Sequence, residues 1–282
     1  MSKGEAAPAP VAGQSSRNLF VRVAVALVLA PLAIAIAYAG GWLWTALVTL
    51  AAIGLYVEWL MIVGAASKRQ IVALGVVALT TAGLCLVAER VDAAFTVDAV
   101  GFLAVAAMAR ERRGWIATGF LYAAAAQTAS VLVRLDSANG FVALMFVLLI
   151  VWVTDIGGYF AGRGIGGPKL WPRVSPSKTW AGAIGGFVAS LAVAAGFTAF
   201  DFGKAAWLLP LSAILSIVSQ LGDLFESAVK RRFSVKDSSH IIPGHGGLLD
   251  RLDGFVAAIV LAAILGFVRG GMDGVGRGLM VW

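Results

Sequence analysis

The sequence predicts an all-α, polytopic integral membrane protein of about nine transmembrane helices, with its N-terminus inside and its C-terminus outside. Three observations carry that expectation. Of 282 residues, 60% are hydrophobic and only 13% are charged, and the mean hydropathy is +0.90, well above that of a soluble domain of this length. The apolar residues fall into runs near the ~20 residues that a helix needs to cross a ~30 Å bilayer core. The 22 Lys and Arg residues are unevenly shared between the connections. Helix is the spanning form, because a lipid-facing strand must close into a barrel and these runs lack the alternation of barrel strands.

Taken in order, the runs cover about 20–39, 42–64, 71–88, 92–109, 114–134, 140–161, 180–200, 205–229 and 253–268. Residues 1–19, rich in Ala, Pro, Gly and Ser, read as a disordered cytoplasmic tail. The first run has some features of a signal peptide, with Ala37-Tyr38-Ala39 as a cleavage site. Its length, and the apolar run directly behind it, favour a retained span. Residues 20–139 form an N-terminal transmembrane region. Residues 140–282 form a C-terminal transmembrane region with two longer cytoplasmic loops, 162–179 and 231–249. No Pro- or Gly-rich linker divides the chain, and no internal repeat is evident.

With the N-terminus inside, every Lys and Arg lies in an inner segment except Arg90, Arg134, Lys204, Arg269 and Arg277, the bias expected of cytoplasmic loops. The net charge of +7 therefore reads as topology rather than as a nucleic-acid surface. The lone cysteine, Cys85, excludes an internal disulfide and a zinc site with paired cysteines, and reads as a small buried hydrophobe.

Charge at membrane depth carries the chemistry, since a charged side chain there normally faces a cavity, a partner or an ion. Asp155 ends an apolar run and leads into the first long loop. Asp223 and Glu226 lie in the run before the second. Glu58 reads as a carboxylate near the cytoplasmic interface, paired with a basic side chain. Gln220, Asp223, Ser227 and Lys230 are spaced to share one helix face, with Glu226 beside them, so the stripe should line a wet cavity. Asp250 and Asp253, three apart at the start of the last run, suit a hard cation that takes one or two carboxylates plus substrate phosphates. The plainer alternative for them is an N-cap and a solvated carboxylate.

Lys230, Arg231, Arg232, Lys236 and Arg251 surround these acids, and Lys178 closes "SPSKT" on the other loop. Cations beside metal-binding carboxylates fit a polyphosphate ligand. The glycines of "PGHGG", Pro243 to Gly247, would let the backbone approach phosphates closely. His245 in that turn could donate to a phosphate or orient an Asp, whereas His240 reads as a loop residue. Together these residues describe a cytoplasmic, membrane-surface site for phosphoryl or nucleotidyl transfer to a lipid.

Residues Ser227–Asp253, "SAVKRRFSVKDSSHIIPGHGGLLDRLD", resemble the signature of the phosphatidate cytidylyltransferase (CDP-diacylglycerol synthase) family. "TDIGGYFAGR", "SPSKTWAG" and "QLGDLFES" are similar to other segments of it. The resemblance covers the C-terminal half; the first 140 residues match only in hydropathy and span number. One departure is Ala181, where an acidic residue is expected after the Trp of "SPSKTW".

The resemblance implies a reaction of CTP with phosphatidic acid to give CDP-diacylglycerol and pyrophosphate, with Mg²⁺. It implies a paired metal site at Asp223 and Asp250, with K⁺ as a candidate second cation, and a homodimer in the bacterial inner membrane. On that reading Asp155 and Asp253 support the metal shell. Lys230, Arg231, Lys236 and Arg251 bind phosphate groups. Ser175, Lys178, Ser227, His245, Gly246 and Gly247 contact substrate. The alternatives are the same chemistry on another lipid phosphate, a catalytically inactive relative, and a transporter. Charge gathered at one face, without paired repeats, disfavours the transporter.

Overall fold

The computed structural model describes residues 28–239 and 246–281. Helix α1 is described over Val28–Ala39. It is followed by α2 (Gly41–Val63), α3 (Arg69–Val87), α4 (Val91–Met108), α5 (Arg113–Leu135) and α6 (Gly140–Gly164). A small antiparallel hairpin comes next, β1 (Lys169–Trp171) with β2 (Ser175–Thr179). Then come α7 (Trp180–Ala199), α8 (Ala205–Arg232), α9 (Leu249–Gly270) and the short α10 (Val275–Met280). The 8 helices from α2 to α9 are each long and apolar enough to cross a membrane, which makes this an all-α polytopic membrane protein. The expected tail, the first part of the first span, and His240 and His245 lie outside the described residues.

Contacts between connections sort them into two ends. At one end, Arg112 donates to the Val63 carbonyl and stands over the Phe233 ring at 5.4 Å. Lys68 meets Glu111 there at 3.6 Å. Arg231 Nε donates to the Val174 carbonyl at 3.4 Å, joining the end of α8 to the hairpin. At the other end, Arg134 donates to the carbonyls of Ala37 (2.6 Å) and Tyr38 (2.8 Å), supplying acceptors at the end of α1 with the donors they lack. Asp136 accepts from the Arg277 N–H at 3.3 Å, and Trp207 Nε1 donates to the Leu279 carbonyl at 2.8 Å. The first end gathers the Arg- and Lys-rich loops of the sequence. Only Gly40 separates α1 from α2, and its φ of 67° with ψ of −153° is backbone that glycine alone adopts cheaply.

Helix α5 lies at the centre, with 78% of its most apolar window buried. Its polar side chains are therefore spent inside the protein. Gln127 donates to Thr49 Oγ1 at 2.9 Å and to the Leu79 carbonyl at 3.0 Å, and Thr128 donates to Asp98 at 3.0 Å. One apolar cluster joins α1, α2, α5, α6, α8, α9 and α10 through residues such as Trp44, Leu132, Phe146, Leu211 and Ile259; Cys85 packs at its edge. A second, nearer the basic end, joins α2 to α5 with the start of α9 through Tyr56, Trp59, Phe120 and Leu249.

Helices α6 and α7 pack backbone to backbone. A Cβ on Gly186 would strike the Thr154 carbonyl, and one on Gly157 would lie 2.8 Å from the Ala189 Cβ. Small residues that admit such approach drive helix association where water supplies no hydrophobic force. Gly186→Leu should part the two helices and destabilise the fold by about 1–3 kcal/mol. Thermal unfolding in detergent reads this as a lower midpoint, with Gly196→Leu, which faces open space, leaving the midpoint unchanged.

Candidate active site

The last turns of α8 carry the polar stripe expected from the sequence. Gln220, Asp223, Glu226 and Lys230 all face one cavity of about 850 Å³. Its other walls are α6 (Trp152, Thr154, Asp155), the hairpin (Ser177, Lys178), the start of α7 (Gly182, Ala183) and the start of α9 (Asp250, Arg251, Asp253). The stripe continues inward, where Thr154 donates to Ser216 Oγ at 2.9 Å and Gln220 Nε2 to the Ala183 carbonyl at 3.3 Å.

Two lysines organise the carboxylates. Lys230 Nζ is 2.8 Å from Glu226 Oε2 and 2.8 Å from Asp250 Oδ1. The contact with Asp250 is a hydrogen bond. The contact with Glu226, which is buried, is an ion pair at hydrogen-bonding distance. Lys178, brought in by β2, pairs with Asp223. The register of the hairpin sets where that lysine emerges, with Lys169 facing Thr179 and Trp171 facing Ser175. Thr179 then caps α7, its Oγ1 accepting from the Gly182 N–H at 3.1 Å, a standard use of Thr at an N-cap.

Asp250 and Asp253 lie inside the first turns of α9, which begins four residues before the span expected from hydropathy. Neither is the N-cap. The cap position is Leu248, whose side chain caps nothing; Leu248 and Leu249 N–H instead donate to Glu58 of α2 at 2.8 and 2.7 Å. Glu58 is fully buried, and among the described residues it takes hydrogen-bond donors in place of the basic partner expected from the sequence. Asp250 also accepts from the Ser238 N–H at 3.2 Å and from the Gly247 N–H at 3.2 Å. A Cβ on Gly247 would collide with the Ser238 side chain and lie 2.7 Å from Glu58 Oε2, so this glycine lets two strands of loop cross beside Asp250.

A second cavity, of about 460 Å³, adjoins the first. Its walls come from α1, α2, α5, α6 and α9, and are apolar: Leu32, Ala33, Trp44, Leu55, Leu148 and Phe255 are typical. Trp152, Asp155 and Arg251 line both cavities.

Of the residues singled out in the sequence, the structure brings Asp155, Lys178, Asp223, Lys230, Asp250, Arg251 and Asp253 to one cavity. It sets others outside that wall. Arg231 ties down the hairpin, Ser175 belongs to its register, Lys236 is exposed, and Ser227 is half-buried on α8. Gly246 and Gly247 shape the surroundings of Asp250 rather than the cavity. Ala181 sits in the first turn of α7, immediately before the lining residues Gly182 and Ala183, so this rim lacks the acid expected there. The sequence reading missed the donor-bound state of Glu58, the part of Ser238, and the lysine-bound role of Glu226.

Among the described residues, no three His, Cys, Asp or Glu side chains converge on a point that could hold a metal. The donor set is nonetheless all-oxygen, with Asp155, Asp223, Glu226, Asp250 and Asp253 on one cavity wall. It fits a hard cation such as Mg²⁺, which takes one or two carboxylates and completes its shell with phosphates and water.

Comparison with known proteins matches residues 20–268 to the Cytidylyltransferase family. The chain is 38% identical over 255 residues to the phosphatidate cytidylyltransferase of Brucella suis biovar 1, spanning 89% of this chain and 94% of that protein. The identity to the Brucella abortus biovar 1 protein of the same name is also 38%, over the same shares. A stretch of 124 residues, 43% of this chain and 48% of the relative, is 51% identical to the phosphatidate cytidylyltransferase of Staphylococcus saprophyticus. With a match across nearly all of its membrane-spanning length, the chain belongs to the cytidylyltransferase family.

Proposed function

We propose that the protein transfers the cytidylyl group of CTP to phosphatidic acid, forming CDP-diacylglycerol and pyrophosphate for phospholipid synthesis. The observation that carries this reading is the meeting of two unlike cavities at Trp152, Asp155 and Arg251. One has the cations and carboxylates that a nucleoside triphosphate needs. The other is apolar and suits an acyl chain. Arg251, present in both walls, is placed to hold the lipid phosphate between them, since guanidinium pairs well with phosphate oxygens.

In the reaction an oxygen of the lipid phosphate attacks the α-phosphorus of CTP, the bond to the bridging oxygen of the β-phosphate breaks, and pyrophosphate leaves with that electron pair. The nucleophile is already anionic near neutral pH, so no general base is needed, and positioning with charge neutralisation supplies the rate. Lys178 and Lys230 exchange their carboxylate partners for phosphate oxygens. Asp223 and Asp250 would hold Mg²⁺, with Asp155 and Asp253 supporting them and K⁺ as a candidate companion. When bound, the metal would supply charge neutralisation for the transferring phosphates. The site faces the cytoplasm of a bacterial inner membrane, because the end that carries it also carries the Lys/Arg-rich loops. The homodimer implied by the family resemblance belongs to the same reading.

Purified protein in mixed micelles with labelled CTP, phosphatidic acid and Mg²⁺ should release pyrophosphate and lipid-soluble cytidylate in equal amounts. Absence of a CDP-lipid from correctly folded protein would sink the proposal. Asp223→Asn and Asp250→Asn, each still folded, should lower kcat by about 10² or more, the scale of losing electrostatic stabilisation. Lys230→Met leaves Glu226 and Asp250 facing each other, and should lower stability by about 3–5 kcal/mol, against a smaller loss for Glu226→Gln; unfolding midpoints in detergent compare them. Ala33→Trp, which narrows the apolar cavity, should raise KM for long-chain phosphatidate more than for a short-chain analogue.

A further inference from the structure

Glu58 lies in the N-terminal half, on α2, and outside both cavity walls. It is fully buried, yet none of the Lys or Arg side chains of the described residues pairs with it in the contacts seen. Among the described residues, four donors reach its carboxylate instead. Ser238 Oγ donates to Oε2 at 2.9 Å and Ser239 Oγ to Oε1 at 2.6 Å. The N–H groups of Leu248 and Leu249 donate at 2.8 and 2.7 Å. A carboxylate offers about four lone-pair sites, so this one is fully used.

The four donors come from two strands of the same loop, one leaving α8 and one entering α9. The same two strands grip Asp250, through the Ser238 N–H and the Gly247 N–H. Glu58 therefore closes the loop at its base and, in the same act, caps α9 from another helix, where negative charge suits the helix dipole. Leu248 is held on α2 as well, with its side chain against Gly54.

From this geometry we infer that Glu58 is a positioning residue. It fixes Asp250 in the cavity by pinning both strands that hydrogen-bond to it, and so makes α2 part of the reaction's framework. The inference rests on the cytidylyltransferase reading for its kinetic consequence, but not for its structural one. Gln in place of Glu keeps the shape but replaces one acceptor oxygen with a donor, which at least one of the backbone N–H groups or serines must then face.

The test compares wild type with Glu58→Gln in detergent, by hydrogen–deuterium exchange over residues 234–252 and by steady-state kinetics normalised to folded protein. The expected result is exchange about tenfold faster at Leu248 and Leu249, and a kcat about 10–100-fold lower, the usual loss when a supporting hydrogen bond to a ligating group is removed. The loss should fall on kcat and not on the KM for phosphatidate alone, even though Leu248, which Glu58 holds, lines the apolar cavity. Unchanged exchange would overturn the clamp. Faster exchange with unchanged kcat per folded molecule, or a loss seen only as a raised lipid KM, would overturn the positioning role. Should Glu58→Gln fail to fold, the Ser238→Ala/Ser239→Ala double variant removes two of the four donors and is held to the same outcomes. If the wild type itself makes no CDP-lipid, the proposed function falls while the exchange comparison still decides the clamp.

Discussion

Lys230 stands 2.8 Å from both Glu226 and Asp250, and most of what surrounds the site follows from keeping that ammonium where it is. Two carboxylates brought together in an apolar bundle repel each other and have both lost their water. A single cation between them offsets both costs, while removal of one partner from a buried ion pair is heavily destabilising. The demand spreads outward. Glu226 and Lys230 are one turn apart on α8, so α8 must remain helical to its last turn. Asp250 must come from α9, so α9 must start early and at a fixed height. Ser238, after α8, and Gly247, before α9, have to come close enough together to complete the hydrogen bonding of Asp250.

The second lysine solves the same problem differently. Lys178 reaches Asp223 from a hairpin, not from a helix. The hairpin, held by the Arg231 contact with Val174, projects Lys178 over the cavity. Depth and polarity then grade in one direction. Charges lie near the basic end, Thr154, Ser216 and Gln220 lie further in, and the apolar cluster around Phe146 and Leu211 closes the bundle.

Hydropathy made the helices legible because a bilayer imposes one length and one composition on every span. The spans expected at 71–88, 114–134 and 180–200 appear as Arg69–Val87, Arg113–Leu135 and Trp180–Ala199. Charge at membrane depth made Asp155, Asp223 and Lys230 legible for the same reason. What stayed hidden depends on long-range partners. The hairpin rests on a few residues between prolines, too short for a periodic signal. The early start of α9 depends on an acceptor supplied by Glu58, 190 residues away from Leu248. Nothing in "GLYVEWLMIVG" announces that partner. An acid inside an apolar run was the available signal, and a requirement for some partner, hydrogen-bond donors included, was the physical consequence to follow.

The lysine pairing bears directly on how such a site could bind a highly charged substrate without a large electrostatic cost. An empty cavity with bare carboxylates, or with bare lysines, would be unstable in this medium. Here each lysine already has carboxylate partners, Lys178 in Asp223 and Lys230 in Glu226 and Asp250, with the acids in excess. On the proposed reading, a triphosphate arriving with Mg²⁺ would offer phosphate oxygens to the lysines and a cation to the carboxylates. Ion pairs are exchanged for ion pairs, so binding need not create a buried charge that lacks a partner. A metal without nucleotide would strand the lysines, and nucleotide without metal would strand the acids. The same pairing that stabilises the unliganded fold therefore favours the two ligands together over either alone.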